Sequence, residues 1–292
     1  MTNELNNKIK SKKEYNRFSI RSWSLVIGLA IILIIAALSI LAPFITPHPY
    51  YQQNISKSFL PPFSQGYLFG TDQFGRDIFS RVLYGGRMSL EVAILATGVS
   101  VIIGVLVGGF AGYFGKKVDL ILSIFINITW SFPLLLICLV LVAMRGPSLA
   151  SVMIGIGIVA WSGIARVVRG EILSLRERDF IKASEALGIS KFKILFVHII
   201  PNIFPSILVL ATVYMATSIL IESSLSFLGI GAQPPLSSWG TMLNEGRMYL
   251  MKAPWIAIPP GLSIVFLVWG FNLLSDGLRD ILDPKMKDII RQ

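Results

Sequence analysis

Residues 178–201 form a charged segment between two hydrophobic stretches, with the sequence RDFIKASEALGISKFKILFVHIIP. Asp179 is suited to cap a helix, because its carboxylate can accept hydrogen bonds from the free N–H groups of the first turn. Phe180, Ala183 and Leu187 follow at spacings of three and four, which places them on one face of that helix. An amphipathic helix in such a polar segment predicts binding to another surface.

Glycine and serine delimit this short helix. Gly188 can adopt the left-handed conformation that ends a helix, and Ser190 can cap the helix that follows. Two surfaces could receive the amphipathic face. One is a groove on a soluble partner, and the other is the bilayer surface, where Phe and Lys would hold the helix at the interface.

The chain around this segment is strongly hydrophobic. Hydrophobic residues make up 54% of the 292 residues, charged residues make up 14%, and the mean hydropathy is +0.70. A soluble domain carries about 25% charged residues. The apolar runs are about 20 residues long, which is the length of a membrane-spanning helix. We therefore predict an all-α fold, a polytopic membrane helical bundle with six transmembrane helices. The predicted spans are residues 24–45, 89–114, 120–143, 149–167, 202–228 and 255–274.

Charge predicts the orientation of the bundle. Of the 26 Lys and Arg residues, 19 fall on one predicted side of the membrane and seven on the other. Since basic residues are enriched in cytoplasmic loops, we expect a multi-pass protein of the cell (inner or plasma) membrane with both termini cytoplasmic. This topology accounts for the net charge of +10, and the scatter of basic residues argues against nucleic-acid binding. The predicted parts are a cytoplasmic basic tail (1–22), a first transmembrane anchor (23–46), an extracytoplasmic loop (47–88) and a five-helix core (89–292) with a cytoplasmic loop at 168–200.

The extracytoplasmic loop is predicted to contain one short amphipathic helix, residues 77–84. Asp77 and Arg81 would pair at a spacing of four, and Gly85 and Gly86 would end the helix before the second span. The helix would lie at the outer interface or pack on the bundle.

Other spans predict close packing and distortion. The second span carries a small residue at every fourth position, which we interpret as packing within the bundle, with a dimer interface as the alternative. Pro133 should kink the third span. Segment 229–240, rich in glycine and proline, should form an ordered cap over a cavity and not a helix. The small residues of the second span are Ala96, Ser100, Gly104, Gly108 and Gly112.

Few residues could do chemistry. The single cysteine, Cys138, lies inside a span and is predicted to be a buried thiol. His48 and His198 are predicted on opposite sides of the membrane, so they cannot share a metal site. The sequence has neither a nucleotide-binding loop nor a Gly-x-Ser-x-Gly nucleophile motif. We therefore predict no catalytic residue, no metal site and no cofactor in this chain.

Glu222 is an acidic residue deep within a predicted span, in the outer half of the fifth. An acid at membrane depth is unfavourable, so Glu222 is a candidate functional residue. Ser223 and Ser131 are polar groups that could also face a translocation path or an outer gate. The alternatives are a local cap or a pairing with Arg247 for Glu222, and internal hydrogen bonds for the serines.

The spacing of Gly188 and Pro201, 13 positions apart, resembles a cytoplasmic motif of permease subunits of binding-protein-dependent ABC importers. That motif runs Glu-Ala-Ala, three residues, Gly, nine residues, then Ile-x-Leu-Pro. Lys182 stands in place of its Glu, and Glu185 cannot replace that acid without breaking the spacing. This chain reads Lys182-Ala183-Ser184, Glu185-Ala186-Leu187, Gly188, nine residues, then His198-Ile199-Ile200-Pro201.

Three further stretches are similar to the peptide and nickel branch of these permeases, and the matches together cover residues 68–285. The first comprises Gly70-Thr71-Asp72, Gly75-Arg76-Asp77, Ser80-Arg81 and Tyr84-Gly85, the second Leu225-Ser226-Phe227-Leu228-Gly229 with Trp239-Gly240, and the third Asp276-Gly277-Leu278-Arg279-Asp280 with Leu282-Asp283-Pro284.

The resemblance implies one of two homologous permease subunits, each forming half of a translocation pathway for short peptides, nickel or a metal-chelator complex. Two separate ATPase subunits would hydrolyse ATP, and an extracytoplasmic substrate-binding protein would deliver the substrate. Residues 168–200 would be the coupling loop, whose helix sits in a groove on one ATPase and moves with it. The implied coupling residues are Asp179, Phe180, Lys182, Ala183, Ser184, Glu185, Ala186, Leu187, Gly188 and Pro201.

A stand-alone secondary transporter or channel is the alternative function. It would be expected to show several ionisable groups within the membrane, or broken helices in paired halves. Glu222 is the one residue of this sequence that meets the first expectation.

Overall fold

A computed structural model describes residues 23–282, and its regular elements in this range are helices. The predicted tail 1–22 and the Asp283-Pro284 match lie outside the described residues. Two single turns of 3-10 helix, Ile55–Lys57 and Pro254–Ile256, complete the helical elements. The α-helices are α1 (Trp23–Ile40), α2 (Ala42–Ile45), α3 (Ile78–Phe114), α4 (Lys116–Ser131), α5 (Leu134–Arg145), α6 (Leu149–Arg176), α7 (Asp179–Ala186), α8 (Lys191–Phe227), α9 (Trp239–Arg247) and α10 (Ile258–Leu282).

The described helices confirm the predicted all-α membrane bundle. Helices α1, α3, α6, α8 and α10 are each long and apolar enough to cross a membrane. Helices α4 and α5 are bent by 82° at a short break, and the number of candidate spans is six when this pair is counted as one broken span. Phe132 is extended (φ −87°, ψ 132°), as expected for a residue before proline, and Pro133 lacks the N–H that would continue the helix. The predicted kink of the third span is therefore a break between two helices.

Helix α3 differs from the prediction at its N-terminal end. The helix begins after Asp77, whose carboxylate accepts a hydrogen bond from the Ser80 N–H at 3.1 Å, and it continues unbroken to Phe114. Gly85 and Gly86 therefore do not end a separate short helix. A Cβ at Gly85 would collide with the indole of Trp239, and one at Gly86 would collide with the Ser39 hydroxyl and lie tight against the same indole. Tertiary packing thus outweighs the cost of about 1 kcal/mol that each glycine adds to a helix interior.

The small residues of the second span pack against α6, which confirms packing within the bundle. A Cβ on Gly112 would lie 2.9 Å from the carbonyl oxygen of Arg169, and one on Gly108 would overlap the backbone of Ala165. Gly104 meets α6 in the same way, one turn further out. The two helices therefore approach at backbone distance along three turns.

Helix α8 runs through Pro201, before which a π-helical turn covers Ile194–Ile199. Proline has no N–H, and its ring would collide with the carbonyl of the residue four positions earlier. In the π-helical turn the Ile200 N–H bonds the carbonyl of Leu195, five residues back, so the turn widens ahead of the proline. The span predicted at 202–228 therefore belongs to a helix that starts 11 residues earlier, at Lys191.

The segment after α8 is irregular from Gly229 to Ser238, as predicted, but Trp239 and Gly240 already belong to α9. Ser238 caps α9 by accepting a hydrogen bond from the Thr241 N–H, and the Thr241 side chain accepts one in return. A cavity of about 150 Å³ lies beneath this segment, which agrees with the predicted ordered cap.

The buried thiol and one hydrophobic cluster complete the fold. Cys138 is fully buried and its sulfur packs on Gly155 of α6, as predicted for a structural thiol.

The hydrophobic cluster that positions α7 combines residues from the last turn of α3, the second half of α6, α7 itself and the start of α8. Its buried residues are Tyr113, Ile164, Val168, Ile172, Ile181, Ile194, Leu195, Ile199, Ile203 and Ile207.

Candidate functional site

Helix α7 forms within the charged segment, but its first residue differs from the prediction. Arg178 occupies the N-cap position with extended dihedrals (φ −72°, ψ 143°) and makes no side-chain cap bond. Asp179 is the first helical residue and not the cap. Its negative charge still lies in the first turn, where it is favourable against the helix dipole. Ser190 does occupy the N-cap of α8, also without a side-chain cap bond.

The end of α7 is a Schellman motif built on Gly188. Gly188 has φ +77°, the left-handed conformation predicted for it. The Ile189 N–H donates to the Ser184 carbonyl at 3.2 Å, and the Gly188 N–H donates to the Glu185 carbonyl at 3.0 Å. These two bonds satisfy carbonyls that the end of the helix would otherwise leave free and fix the direction in which the chain leaves it.

The two faces of α7 have opposite environments. Ile181 is 0% exposed and packs in the hydrophobic cluster beside the π-helical turn. Phe180 is 46% exposed and Leu187 is 80% exposed, and Ala183 between them is exposed as well. The predicted apolar face therefore points away from its own chain. Ile181, which is not on that face, is the residue that anchors the helix.

Polar contacts hold α7 on the bundle. The Tyr113 hydroxyl, at the last turn of α3, donates to Glu185 Oε1 at 3.0 Å. Lys182 pairs with Glu177 at 3.2 Å on the surface, where such a pair contributes little. The Ser184 hydroxyl bonds back to its own helix, at the Phe180 carbonyl. Glu185 is thus the residue through which α7 bonds to α3, a contact that local spacing could not reveal.

Ala186 and Pro201, the remaining implied coupling residues, are both exposed. Ala186 is the last residue of α7, and Pro201 lies in α8 just after the π-helical turn against which α7 packs. The structure therefore brings nine of the ten implied residues together on or beside α7, and Pro201 follows the turn that supports it.

A network of four charged residues lies at the other end of α3. Arg81 Nη1 bonds Asp72 Oδ2 at 2.6 Å and Glu245 Oε2 at 2.7 Å. Arg76 bonds the same two oxygens, both at 2.6 Å. Arg81 therefore pairs with Asp72 and Glu245, and the predicted pairing with Asp77 is wrong. Each carboxylate bridges two guanidinium groups, which joins the outer loop to α3 and α9.

Two tryptophans secure the same outer region. The Trp239 indole N–H donates to the Val82 carbonyl at 2.8 Å, and the Trp255 indole N–H donates to the Thr71 carbonyl at 3.2 Å. These bonds and the charged network give a structural role to four of the motif residues, Thr71, Asp72, Arg76 and Arg81, and to Trp239.

Glu222 is 0% exposed and is surrounded by serines. The Ser226 hydroxyl donates to Glu222 Oε1 at 2.7 Å, and the Ser223 hydroxyl lies 3.4 Å from Oε2. Arg247 does not pair with Glu222, because its guanidinium stacks over the Phe227 ring at 5.4 Å. Glu222 is therefore hydrogen-bonded locally, as in the alternative interpretation, but not to Arg247, and its role in a translocation path stays a prediction.

Ser131 lies far from this cluster along the chain, at the end of α4. Its hydroxyl donates to the Asn127 carbonyl at 2.7 Å, one turn earlier in the same helix. Its neighbours Trp130 and Phe132 line a cavity of about 420 Å³, whereas Ser223 and Glu222 bond each other at the outer end of α8. No described contact joins Ser131 to Glu222, so the three candidate pathway residues do not form one site.

The described residues thus form a helical membrane bundle from which one short, anchored helix exposes apolar side chains. Comparison with known families identifies this bundle. The model of the "Binding-protein-dependent transport system inner membrane component" matches residues 104–288, and that of the "N-terminal TM domain of oligopeptide transport permease C" matches residues 20–62. The chain belongs to this family of permease subunits of ABC importers, and it is a multi-pass protein of the inner membrane.

Named relatives cover most of the chain. The dipeptide transport system permease protein DppC of Alkalihalophilus pseudofirmus is 44% identical over 262 residues, which are 90% of this chain and 86% of that protein. The oligopeptide transport system permease protein OppC of Haemophilus influenzae is 39% identical over 266 residues, covering 91% and 86%. The fold resembles an inward-facing structure of the MetNI methionine ABC transporter, with a TM-score of 0.57, 18% identity and coverage of 69% of this chain and 96% of that one.

Proposed function

We propose that this chain forms half of the translocation pathway of a peptide importer, together with a second homologous permease subunit. In this proposal two ATPase subunits bind on the cytoplasmic side and an extracytoplasmic substrate-binding protein delivers the peptide. The chain itself hydrolyses nothing. Both of its termini and α7 lie in the cytoplasm, in accord with the excess of Lys and Arg on that side.

The observation that carries the proposal is the pair of opposite faces on α7. Ile181 fixes the helix to the bundle, while Phe180 and Leu187 leave apolar surface exposed in a cluster around Ala183. Exposed apolar side chains on a short helix are favourable when another protein covers them. An anchored helix also transmits a push from that protein to α3 and α8, because it cannot move without them.

Short peptides are the proposed substrate, since the named relatives are dipeptide and oligopeptide permeases. Nickel or a metal-chelator complex, which the motifs also allow, has no such support among them. A stand-alone secondary transporter or channel has none either, because the family consists of importer subunits.

Substitution of the exposed face tests the coupling role. Leu187→Asp should weaken association with the ATPase subunits about 5–30-fold, because loss of a central apolar contact costs about 1–2 kcal/mol. Leu228→Asp is the matched control, since Leu228 is 61% exposed at the opposite end of the bundle. Co-purification of the tagged permease, followed by mass spectrometry and peptide uptake, measures both effects.

The outcome separates the two functions. Loss of ATPase subunits and of uptake in Leu187→Asp alone supports the importer. Normal uptake in that variant, or peptide transport by the purified chain without ATP, would contradict the proposed role of α7.

A further inference from the structure

Arg166 is counted with the cytoplasmic basic residues in the sequence, but the structure places it on the exposed face of helix α6, with neutral partners among the described residues. It lies ten residues before the end of α6, about 15 Å along the helix. Its Nη2 donates to Asn127 Oδ1 at 3.2 Å, and its guanidinium stacks over the Trp130 ring at 4.8 Å. Within residues 23–282, none of the ion pairs involves Arg166.

Arg169, one turn later on the same helix, is an arginine whose charge is paired with an acid. Asp119 neutralises it through two bonds, of 2.5 Å from Nε and 2.7 Å from Nη2. A charge at this depth is costly and is normally paired or faces a water-filled cavity. Arg166 has no acidic partner among the described residues and is exposed, so its guanidinium has N–H donors free for an anion in an adjoining cavity.

Such a cavity adjoins Arg166. A cavity of about 420 Å³ lies at the break between α4 and α5. Trp130, whose ring stacks on the Arg166 guanidinium, forms part of the cavity wall. Non-helical backbone at membrane depth is tolerated where it lines a cavity, and broken spans often mark ligand sites in transporters. The cavity wall includes Trp130, Phe132, Leu134, Val159, Tyr214 and Thr217.

Gly163 lets the aromatic groups meet at this point. A Cβ at Gly163 would collide with both the Tyr214 hydroxyl and the Trp130 ring, so these groups lie directly on the α6 backbone. Gly163 precedes Arg166 by three residues and shares its side of the helix. A guanidinium, a phenol and an indole therefore converge at the edge of one cavity.

We propose that Arg166 and the cavity beside it form a carboxylate-binding site within the translocation pathway. A guanidinium has five N–H donors arranged to hold a carboxylate, and Asn127 accepts one of them. The carboxylate of the substrate binds Arg166, and the adjoining apolar part of the substrate packs on Trp130 and Tyr214. The assignment of the carboxylate to a peptide rests on the proposed function.

Thiol labelling tests the charge of the cavity in the complete importer, reconstituted in lipid vesicles. Thr217 is exposed on the cavity wall, while the single cysteine, Cys138, is fully buried. Thr217→Cys therefore provides a reporter that mass spectrometry can locate. We expect an anionic methanethiosulfonate reagent to react faster than a cationic one of similar size. Arg166→Gln should lower the ratio of the two rates on the order of tenfold, because a cation in a low-dielectric cleft concentrates anions.

Two matched variants control for structure. Arg166→Lys keeps the charge and should keep most of the ratio. Arg247→Gln removes an arginine that also stacks on an aromatic ring, at 5.4 Å from Phe227, but Phe227, unlike Trp130, is absent from the wall of this cavity. Its ratio should equal that of the parent. An unchanged ratio in Arg166→Gln would overturn the site.

Peptide protection identifies the source of the carboxylate. Binding protein saturated with trialanine, which has a C-terminal carboxylate and no acidic side chain, should slow labelling when Arg166 is present and not in Arg166→Gln. Protection by an aspartate-containing peptide alone would assign the site to side-chain carboxylates and would equally support it. A ratio that depends on anionic lipid and not on peptide would overturn the substrate assignment.

ATP hydrolysis stimulated by loaded binding protein is measured in the same vesicles. Normal stimulation of ATP hydrolysis, together with labelling rates that neither Arg166→Gln nor peptide changes, refutes the site and leaves the proposed function intact. Absence of stimulation in the parent importer refutes the proposed function. Where Arg166→Gln does not assemble, peptide protection in the Thr217→Cys parent decides.

Discussion

Gly188 offers a sharp test of how α7 is held, because its effect can be separated from side-chain packing. Its φ is +77°, and a Cβ placed there would meet no atom of this chain within 4 Å. A substitution therefore acts on the backbone alone. An L-residue in the left-handed conformation costs roughly 1–2 kcal/mol, and a β-branched residue costs more. Since about 1.4 kcal/mol is a factor of ten, the population of the Schellman end should fall about 5–30-fold in Gly188→Ala.

The assay compares three variants in reconstituted importer. Gly188→Val should abolish peptide uptake while the protein remains in the membrane, and Gly188→Ala should be intermediate. Gly188→Asn is the matched control, because asparagine adopts the left-handed conformation at lower cost. It should retain most of the uptake. Membrane abundance and ATP hydrolysis are measured beside uptake.

Two results would refute this reasoning in different ways. Wild-type uptake in all three variants would show that the left-handed conformation is not needed. Equal loss in all three, including Gly188→Asn, would show that the ATPase contacts this position closely and that space, not φ, requires the glycine.

Three further predictions concern contacts along α3 and α8. Tyr113→Phe and Glu185→Gln should each lower the melting temperature and the coupling of ATP hydrolysis to uptake, and the double variant should show less than the sum, since they break one hydrogen bond. Arg81→Leu should destabilise the chain by about 1–3 kcal/mol, because each of two carboxylates loses one hydrogen-bonding partner and keeps the other, Arg76, and membrane abundance should fall. Glu222→Gln should leave uptake near wild type, because an amide oxygen still accepts from a serine hydroxyl. A large loss of uptake at normal abundance would instead favour a role in the outer gate.

Local signals in the sequence predict those parts of the site that depend on neighbours along the chain. The helix after Arg178 and its end at Gly188 follow from spacing and from a conformation that favours glycine. The contact of α3 with α6 follows from small residues at every fourth position, which only close approach explains. The prediction that Asp179 caps α7 is nevertheless wrong, because a carboxylate next to the start of a helix can either cap the helix or lie in its first turn.

Contacts between residues far apart in sequence could not be predicted. In the sequence, Gly85 indicates the end of a helix. In the structure the glycine makes room for the indole of Trp239, about 150 positions later, and the helix continues. Arg81 has an acid four residues earlier, yet it bonds Glu245, 164 residues away. Nor does spacing say which side of α7 is buried. Ile181 faces the cluster because α6 and α8 happen to meet there, which no local pattern encodes.

Helix α3 is longer than a bilayer is thick. Its 37 residues without a break span about 55 Å, more than the 40–45 Å of a whole bilayer. One end carries Arg81 of the outer charged network, and the other carries Tyr113 beside α7. A rod of this length that tilts by about 10° around its centre moves each end about 5 Å, in opposite directions. Where α3 moves as a rigid rod, a displacement of its Arg81 end is accompanied by an opposite displacement of its Tyr113 end.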